Sequence, residues 1–342
     1  MLIMGIETSC DETAAGVVRE GKEILSNVVA SQVSIHKEFW GIVPEIASRK
    51  HIEVIIPVIR KALKDAQIKL TDLNGIGATY GPGLLGSLMV GLTVAKGIAY
   101  SLGLPFVGIN HLKAHLYANF LQYPNLSFPL VGLIISGGHT ELVYLSKDTK
   151  CKLLGTTRDD AVGEAFDKVA RILKLSYPGG PAIEKIAQKG NPQMVDLPHL
   201  HFKKENFDFS FSGIKTAILY YVRELQKRKT PIPASDIAAS FQLRVAEILS
   251  EKLFKAASLK KVKNIAIGGG VASNNFIREF MEKNAPPGIK IFFPSPELCT
   301  DNAAMVACLA YFKIKKGKTS PLSLEAQPGL SFPTSSSTTH SS

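Results

Sequence analysis

Two histidines carry the first chemical signal. In NHLKAHLYANF (110–120), His111 and His115 stand four residues apart, and Leu112, Leu116 and Phe120 repeat along one side with a helical period. On a helix that spacing sends both imidazoles from one face about one turn apart, which is metal-chelating geometry. With eight histidines in 342 residues, such a pair arises by chance about one time in six, so a further ligand is required. A protease of the H-E-x-x-H type needs glutamate directly after the first histidine as general base; Leu112 stands there. The expected third ligand is Asp301 in CTDNAAM, at the start of a small-residue helix. Two histidines and a carboxylate suit Fe(II) or Zn(II).

Four glycine-rich turns follow: Gly81-Pro82-Gly83, Gly137-Gly138, Gly179-Gly180 and Gly268-Gly269-Gly270. Such turns let backbone N–H groups approach phosphate, and a following helix adds positive potential. The G-x-x-x-x-G-K-[ST] pattern is absent, and no G-x-G-x-x-G opens a βαβ unit, so neither a P-loop nor a dinucleotide fingerprint is present. Asp11 and Glu12 lie in the first polar turn. In DDAVGEAFDKVA, the spacing of Asp160, Glu164 and Asp167 predicts three carboxylates on one helix face. They would either accept hydrogen bonds from ribose hydroxyls or form a solvated face paired with Lys168 and Arg171.

The elements that must position these groups repeat. LIMGI, a polar turn and AAGVV predict a hairpin, and VGLIIS, GGHTE and LVYL predict a second. IGATYGPGLLGSLMVGLTVAKG (76–97) and IAIGGGVASNNFIREFMEK (265–283) each predict strand, glycine loop and helix. The order implies a duplicated α/β chain whose second half carries an insertion of roughly 60 residues, placed within 151–240. The expected division is an N-terminal lobe over 1–128 with the histidine pair, and a C-terminal lobe over 129–330 whose last helix returns to the cleft. FLQYPNLSFP (120–129) would be the hinge, and 331–342 a disordered Ser/Thr-rich tail.

The net charge is +11, from 40 basic and 29 acidic residues. Residues 199–263 hold 13 basic and 6 acidic side chains, a surface that would attract RNA or serve solubility. Four cysteines without a C-x-x-C pair fit a reducing compartment. No signal peptide and no run of about 18 apolar residues are visible, so a cytoplasmic enzyme without a membrane segment is expected.

Ten segments, GIETSCDET, GIVPEIASRKH, TYGPGLLGSL, HLKAH, ISGGHTEL, GEAFDKVARIL, YPGGP, DFSFSGIKT, GGGVASN and TDNAAM, together resemble the bacterial TsaD family. These are tRNA N6-adenosine threonylcarbamoyltransferases, formerly described as O-sialoglycoprotein endopeptidases. The match runs in order from about residue 2 to about 325. The resemblance implies a two-lobed actin/Hsp70/sugar-kinase-like α/β fold, a duplicated ribonuclease-H-like core with an inter-lobe cleft. It implies transfer of threonylcarbamoyl from threonylcarbamoyl-AMP to N6 of the adenosine 3′ to the anticodon, in tRNAs reading codons that begin with A.

By the same resemblance the metal ligands fall on His111, His115 and Asp301, with Fe(II) or Zn(II) bound. The adenylate-binding positions fall on Ile134, Ile135, Ser136, Gly137, Gly138, Asp167, Gly180 and Asn274. Glu184 occupies a ribose-contact position that is often aspartate. Trp40 replaces a common glycine, and Asn275 stands where relatives have arginine. Ile134, where archaeal and eukaryotic relatives carry a tyrosine ligand, together with His139 points to the bacterial branch. The implied partners are tRNA, a TsaB-like paralogue and a TsaE-like ATPase. The donor's AMP leaving group needs no strong acid, whereas the delocalised N6 nucleophile needs a base; Glu12 and His139 are the candidates. The competing readings are an ATPase or kinase of the same fold class, a metalloendopeptidase that Leu112 disfavours, and a non-catalytic module.

Overall fold

The computed structural model describes residues 1–147, 150–198 and 206–332. Strands β1 (Leu2–Glu7), β2 (Glu12–Arg19) and β3 (Glu23–Ser31) open the chain. Helices α1 (Val33–His36) and α2 (Pro44–Asp65) follow, then β4 (Gly75–Gly81), α3 (Leu85–Leu102), β5 (Phe106–Asn110) and α4 (His111–Gln122). The pattern restarts with β6 (Leu130–Ile135), β7 (Thr140–Lys147) and β8 (Lys150–Thr156). Next come α5 (Val162–Ile172), α6 (Gly179–Ala187), α7 (Ser212–Lys227), α8 (Ala234–Lys260), β9 (Asn264–Gly268), α9 (Asn275–Lys283) and β10 (Lys290–Phe292). Helices α10 (Pro296–Cys299) and α11 (Ala303–Ile314) close the described chain.

The duplication is explicit in the two sheets. One runs β3-β2-β1-β4-β5, the other β8-β7-β6-β9-β10. In each, the first three strands of the repeat pair antiparallel and the last two add in parallel. Between the third and fourth strands the second repeat is longer by 64 residues, 107 (157–263) against 43 (32–74), which agrees with the expected insertion.

The described chain divides into two compact units, 1–126 with 294–332, and 127–293. The expected boundary at 128/129 lies two residues from that division. Residues 294–330, expected in the second lobe, instead belong to the first unit. There α11 packs against β1, β2, β4, β5 and α4. The reason is steric: a side chain on Gly5 would meet the Ala303 carbonyl at 2.2 Å, and one on Gly77 would meet Ala310 Cβ at 2.5 Å. Glycine on the strands and alanine on the helix let the two backbones approach closely. On the sheet's other face, Met4, Ile6, Ala15 and Val17 pack with Ile55 and Ile59 of α2 and Leu92 and Ala95 of α3. Among the described residues, α3 is the one helix long and apolar enough to cross a membrane, although Ser87, Thr93 and Lys96 interrupt it. Its Leu88, Leu92, Ala95 and Ala99 are buried in the unit. Of the Ser/Thr-rich tail, residues 333–342 lie outside the described residues, as do 199–205 of the basic segment.

Candidate active site

In the first unit, the C-terminal ends of β1, β4 and β5 meet the start of α4. Asn110 caps that helix, its Oδ1 accepting from Lys113 N–H at 2.9 Å, which makes His111 the first helical residue. The expected apolar stripe is only part of the picture: every residue from His111 to Leu121 is buried, because α11 covers a further side of α4. Asp301 sits between α10 and α11. Asn302 fixes that corner by accepting from Met305 N–H and donating to the carbonyls of Leu298 and Thr300.

These elements bring together residues almost 190 positions apart. His115 Nε2 lies 3.1 Å from Asp301 Oδ1, His111 Nε2 lies 3.6 Å from it, and the two Nε2 atoms are 3.2 Å apart. All three donor atoms fall within 4.8 Å of one another. Ligands held about 2.0–2.2 Å from one ion take this spacing. Two ring nitrogens facing each other and one carboxylate oxygen are a poor hydrogen-bonding arrangement and a good ligand set, so the residues fit a divalent cation.

Glu7 completes the arrangement. Fully buried at the end of β1, it accepts from Ser9 N–H at 2.7 Å and from Thr79 Oγ1 at 2.5 Å. Its Oε2 lies 3.2 Å from His111 Nδ1, and Ser9 Oγ lies 3.1 Å from the same nitrogen. Burial pushes the Glu7 carboxyl up, but His111 more than offsets this and the net position is below the usual range. An ionised Glu7 keeps the proton on His111 Nδ1 and turns the Nε2 lone pair toward Asp301. His111 loses basicity through burial and regains more from Asp301 and Glu7, ending at about 9 without a cation. His115 has no such support, since its buried Nδ1 finds no hydrogen-bond partner among the described residues.

Beside this group, Glu12 accepts from Ser31 Oγ at 3.2 Å. Burial, then the charges of Asp301 and Asp11, push its carboxyl up to about 10. His51 of α2 holds the intervening turn, with Nδ1 2.7 Å from Thr13 Oγ1 and Nε2 donating to the Cys10 carbonyl at 3.0 Å. Glu7, Ser9, Thr79 and His51 escaped the sequence reading. The available signal was a glutamate ending an otherwise apolar strand.

In the second unit, three of the glycine turns gather where β6 and β9 end. Ser136 N–H donates to the His139 carbonyl at 2.9 Å, and His139 N–H donates to Ser136 Oγ at 3.1 Å, closing the Gly137-Gly138 turn. The start of α5 abuts that turn, Gly163 N–H donating to the Ser136 carbonyl at 3.1 Å. Gly269 has φ +97° and lies against Ile135, where a Cβ would meet the carbonyl oxygen at 2.4 Å. Open space lies over Gly137, Gly138, Gly180 and Gly270.

Asp167 accepts from Gly179 N–H at 2.7 Å and so sets the start of α6. Asn274 caps α9, accepting from Ile277 N–H at 3.0 Å while Nδ2 donates to Gln242 Oε1. Glu184 accepts from Asn275. Thus α5, α6 and α9 present their N-terminal ends around the open glycine backbone, a setting that favours an anion. Ile134 and Ile135 are completely buried, so their side chains belong to the core. The carboxylate trio is separated: α5 begins only at Val162, which leaves Asp160 before the helix, bound to Lys168 (2.6 Å) and Lys215 (2.8 Å). Glu164 pairs with Lys168, and only Asp167 faces the glycine loops.

Comparison with known proteins agrees with this geometry. The family described as tRNA N6-adenosine threonylcarbamoyltransferase matches residues 23–308. A tRNA N6-adenosine threonylcarbamoyltransferase of Clostridium perfringens is 50% identical over 96% of this chain and 97% of its own. Among solved structures the chain is similar to component A of the Acidaminococcus fermentans (R)-2-hydroxyglutaryl-CoA dehydratase. That match has a TM-score of 0.53 at 17% identity and covers 92% of this chain and 99% of that one. It is also similar to full-length HypF in a phosphate- and nucleotide-bound form, with a TM-score of 0.61 at 14% identity over 93% and 56% of the two chains. At these identities the likeness is one of fold, the actin-like duplicated α/β architecture.

Proposed function

The chain belongs to the tRNA N6-adenosine threonylcarbamoyltransferase (TsaD) family, and from that premise we propose how its residues divide the work. It is an acyltransferase of tRNA modification, acting in threonylcarbamoyladenosine biosynthesis with tRNA as substrate. The donor is threonylcarbamoyl-AMP, and the acceptor is N6 of the adenosine 3′ to the anticodon in tRNAs reading codons that begin with A.

The observation that carries the reading is the convergence of His111, His115 and Asp301 within 4.8 Å. These residues would hold one divalent ion, Fe(II) or Zn(II). When bound, the ion supplies Lewis-acid polarisation of the acyl group, with no redox step required. Glu7 keeps His111 in the ligating tautomer. In the other unit, backbone N–H groups of Gly137, Gly138 and Gly180 hold the phosphate, with Ile134, Ile135 and Ser136 fixing the strand end and the turn beneath it. Asp167, Glu184 and Asn274 take the ribose and base. One oxygen of Asp167 remains for a hydroxyl beyond its bond to Gly179.

Proton removal from N6 falls to Glu12 or His139. Glu12 carries a proton near neutrality, because of its burial first and the charges of Asp301 and Asp11 second; a cation held by Asp301 would remove only part of the second contribution. A peptidase reading loses its base, since Leu112 is buried and Glu7 is committed to His111 Nδ1.

A TsaB-like paralogue would dock on the pair α2 and α3, where Ile52, Ile56, Leu85 and Met89 are exposed near the close approach of Gly86 to Ser48. A TsaE-like ATPase and a cytoplasmic location rest on family membership. The test is reconstitution with partners, threonylcarbamoyl-AMP and unmodified tRNA, with threonylcarbamoyladenosine read by mass spectrometry. Product formed equally by wild type and by His111→Ala with Asp301→Ala would overturn the metal reading.

A further inference from the structure

The chain's single tryptophan has no part in the chemistry above. It lies in the loop between β3 and α2, residues 32–43. That loop leaves β3 at Ser31, which pairs in register with Glu12, and Gln32 N–H donates to the Asp11 carbonyl at 3.1 Å. It therefore rises from the same end of the sheet as Glu7, Gly81 and His111. Its base is anchored: His36 is buried and its Nδ1 accepts from Val43 N–H at 3.3 Å, while Gln32 Nε2 donates to the Ala47 carbonyl. Its tip is open. Phe39 is 54% exposed and Trp40 44%.

Trp40 also has φ +54°, in the left-handed region, where its N–H donates to the Lys37 carbonyl at 3.3 Å and closes a one-turn helix. A bulky side chain is costly there and glycine is not. Strain and an exposed apolar ring together, on a loop that leaves the end of the sheet carrying Glu7 and His111, indicate a binding role.

We propose that Phe39 and Trp40 form a stacking platform for unpaired nucleobases of the tRNA beside the acceptor adenosine. The substrate is an RNA, and RNA modification at a loop base requires neighbouring unstacked bases to be held. Exposed aromatic rings hold such bases with little sequence preference. Exposed Lys37 and, at the start of α2, Arg49 supply cations for the flanking phosphates; the Arg49–Glu45 pair is solvent-exposed and yields readily. The loop stands at the end of the sheet that carries the reactive groups. Ile52 and Ile56 lie farther along α2, on the surface assigned above to a protein partner.

Because Trp40 is the sole tryptophan, its emission reports this loop alone. The full chain is titrated with an unmodified anticodon stem-loop RNA while binding is followed separately by the anisotropy of an end-labelled RNA. Saturable quenching and reduced access to acrylamide are expected. Trp40→Gly and Phe39→Ala should each weaken RNA binding about 5- to 100-fold, with the salt slope unchanged because no phosphate contact is lost. Trp40→Phe should retain most of the affinity. Trp40→Gly should also melt no lower than wild type, since it relieves the left-handed strain, which separates lost binding from lost folding. Unchanged emission at saturating RNA, or full RNA affinity in Trp40→Gly, overturns the proposal. So does a response to a protein partner and none to RNA.

Discussion

Glu184 Oε1 accepts two hydrogen bonds from Asn275, one from its backbone N–H at 2.9 Å and one from Nδ2 at 3.0 Å. These are the two positions at which the family resemblance implies aspartate and arginine instead. The longer glutamate reaches the start of α9 and ties α6 to it, so the two departures compensate each other. Glu184→Asp and Asn275→Arg should each weaken adenylate binding by about three- to tenfold, and the double variant should recover most of the loss. A coupling of about 1 to 2.5 kcal/mol follows from those losses and their recovery. Calorimetry with a non-reactive acyl-adenylate analogue measures it; strictly additive losses would show the residues to be independent.

Glu7→Gln retains size and one acceptor but loses the charge behind His111. Metal affinity should fall by about 10- to 100-fold while the circular dichroism spectrum stays unchanged. Competition with a chromophoric chelator reads the affinity. His115, whose Nδ1 has no partner among the described residues, offers no comparable handle.

Metal binding should depend on pH with a definite sign. His111 sits at about 9 in the metal-free site, so a proton must leave before a cation enters, and affinity should rise about tenfold per pH unit below 9. Stability of the metal-free protein moves the other way. A histidine raised in the folded state stabilises it fully below the unfolded value near 6.5, and this contribution is lost as pH rises through about 9. Thermal melts with and without zinc should therefore diverge as pH increases from 6 to 9.

His111→Ala and Asp301→Ala should each lower tRNA modification by at least about 100-fold, equivalent to several kcal/mol of transition-state stabilisation. Binding of tRNA should stay within a few-fold of wild type, since neither residue meets the proposed stacking loop. Filter binding across a salt series should give a log–log slope steeper than about −2, as expected for several phosphate contacts.

Much of the fold and part of the site are legible in the sequence. The hairpins, the strand–glycine–helix units and their duplication follow from local periodicity, which survives folding unchanged. The His111/His115 spacing and Asp301 pointed to one site because a helix fixes the first and a helix start the second. What escaped depends on contacts distant in sequence. Glu7 reads locally as an interruption of an apolar strand, and only the fold turns it toward His111. Asp160 looks helical by spacing, but α5 starts two residues later and the side chain goes to Lys168 and Lys215. A periodic helix does not announce which sheet it covers, so the placement of α11 had no local sign beyond its alanines and the glycines it meets.

That placement has a consequence for biogenesis. The helix that fills the back of the first sheet, and the corner that supplies Asp301, are among the last described segments to leave the ribosome. Residues 127–293 form a compact unit of their own, whereas the N-terminal sheet has one face covered by a helix that is synthesised after that unit. Chains truncated before residue 294 should lack both the closing helix and Asp301, and so should neither cover the back of the first sheet nor complete the three-residue ligand set.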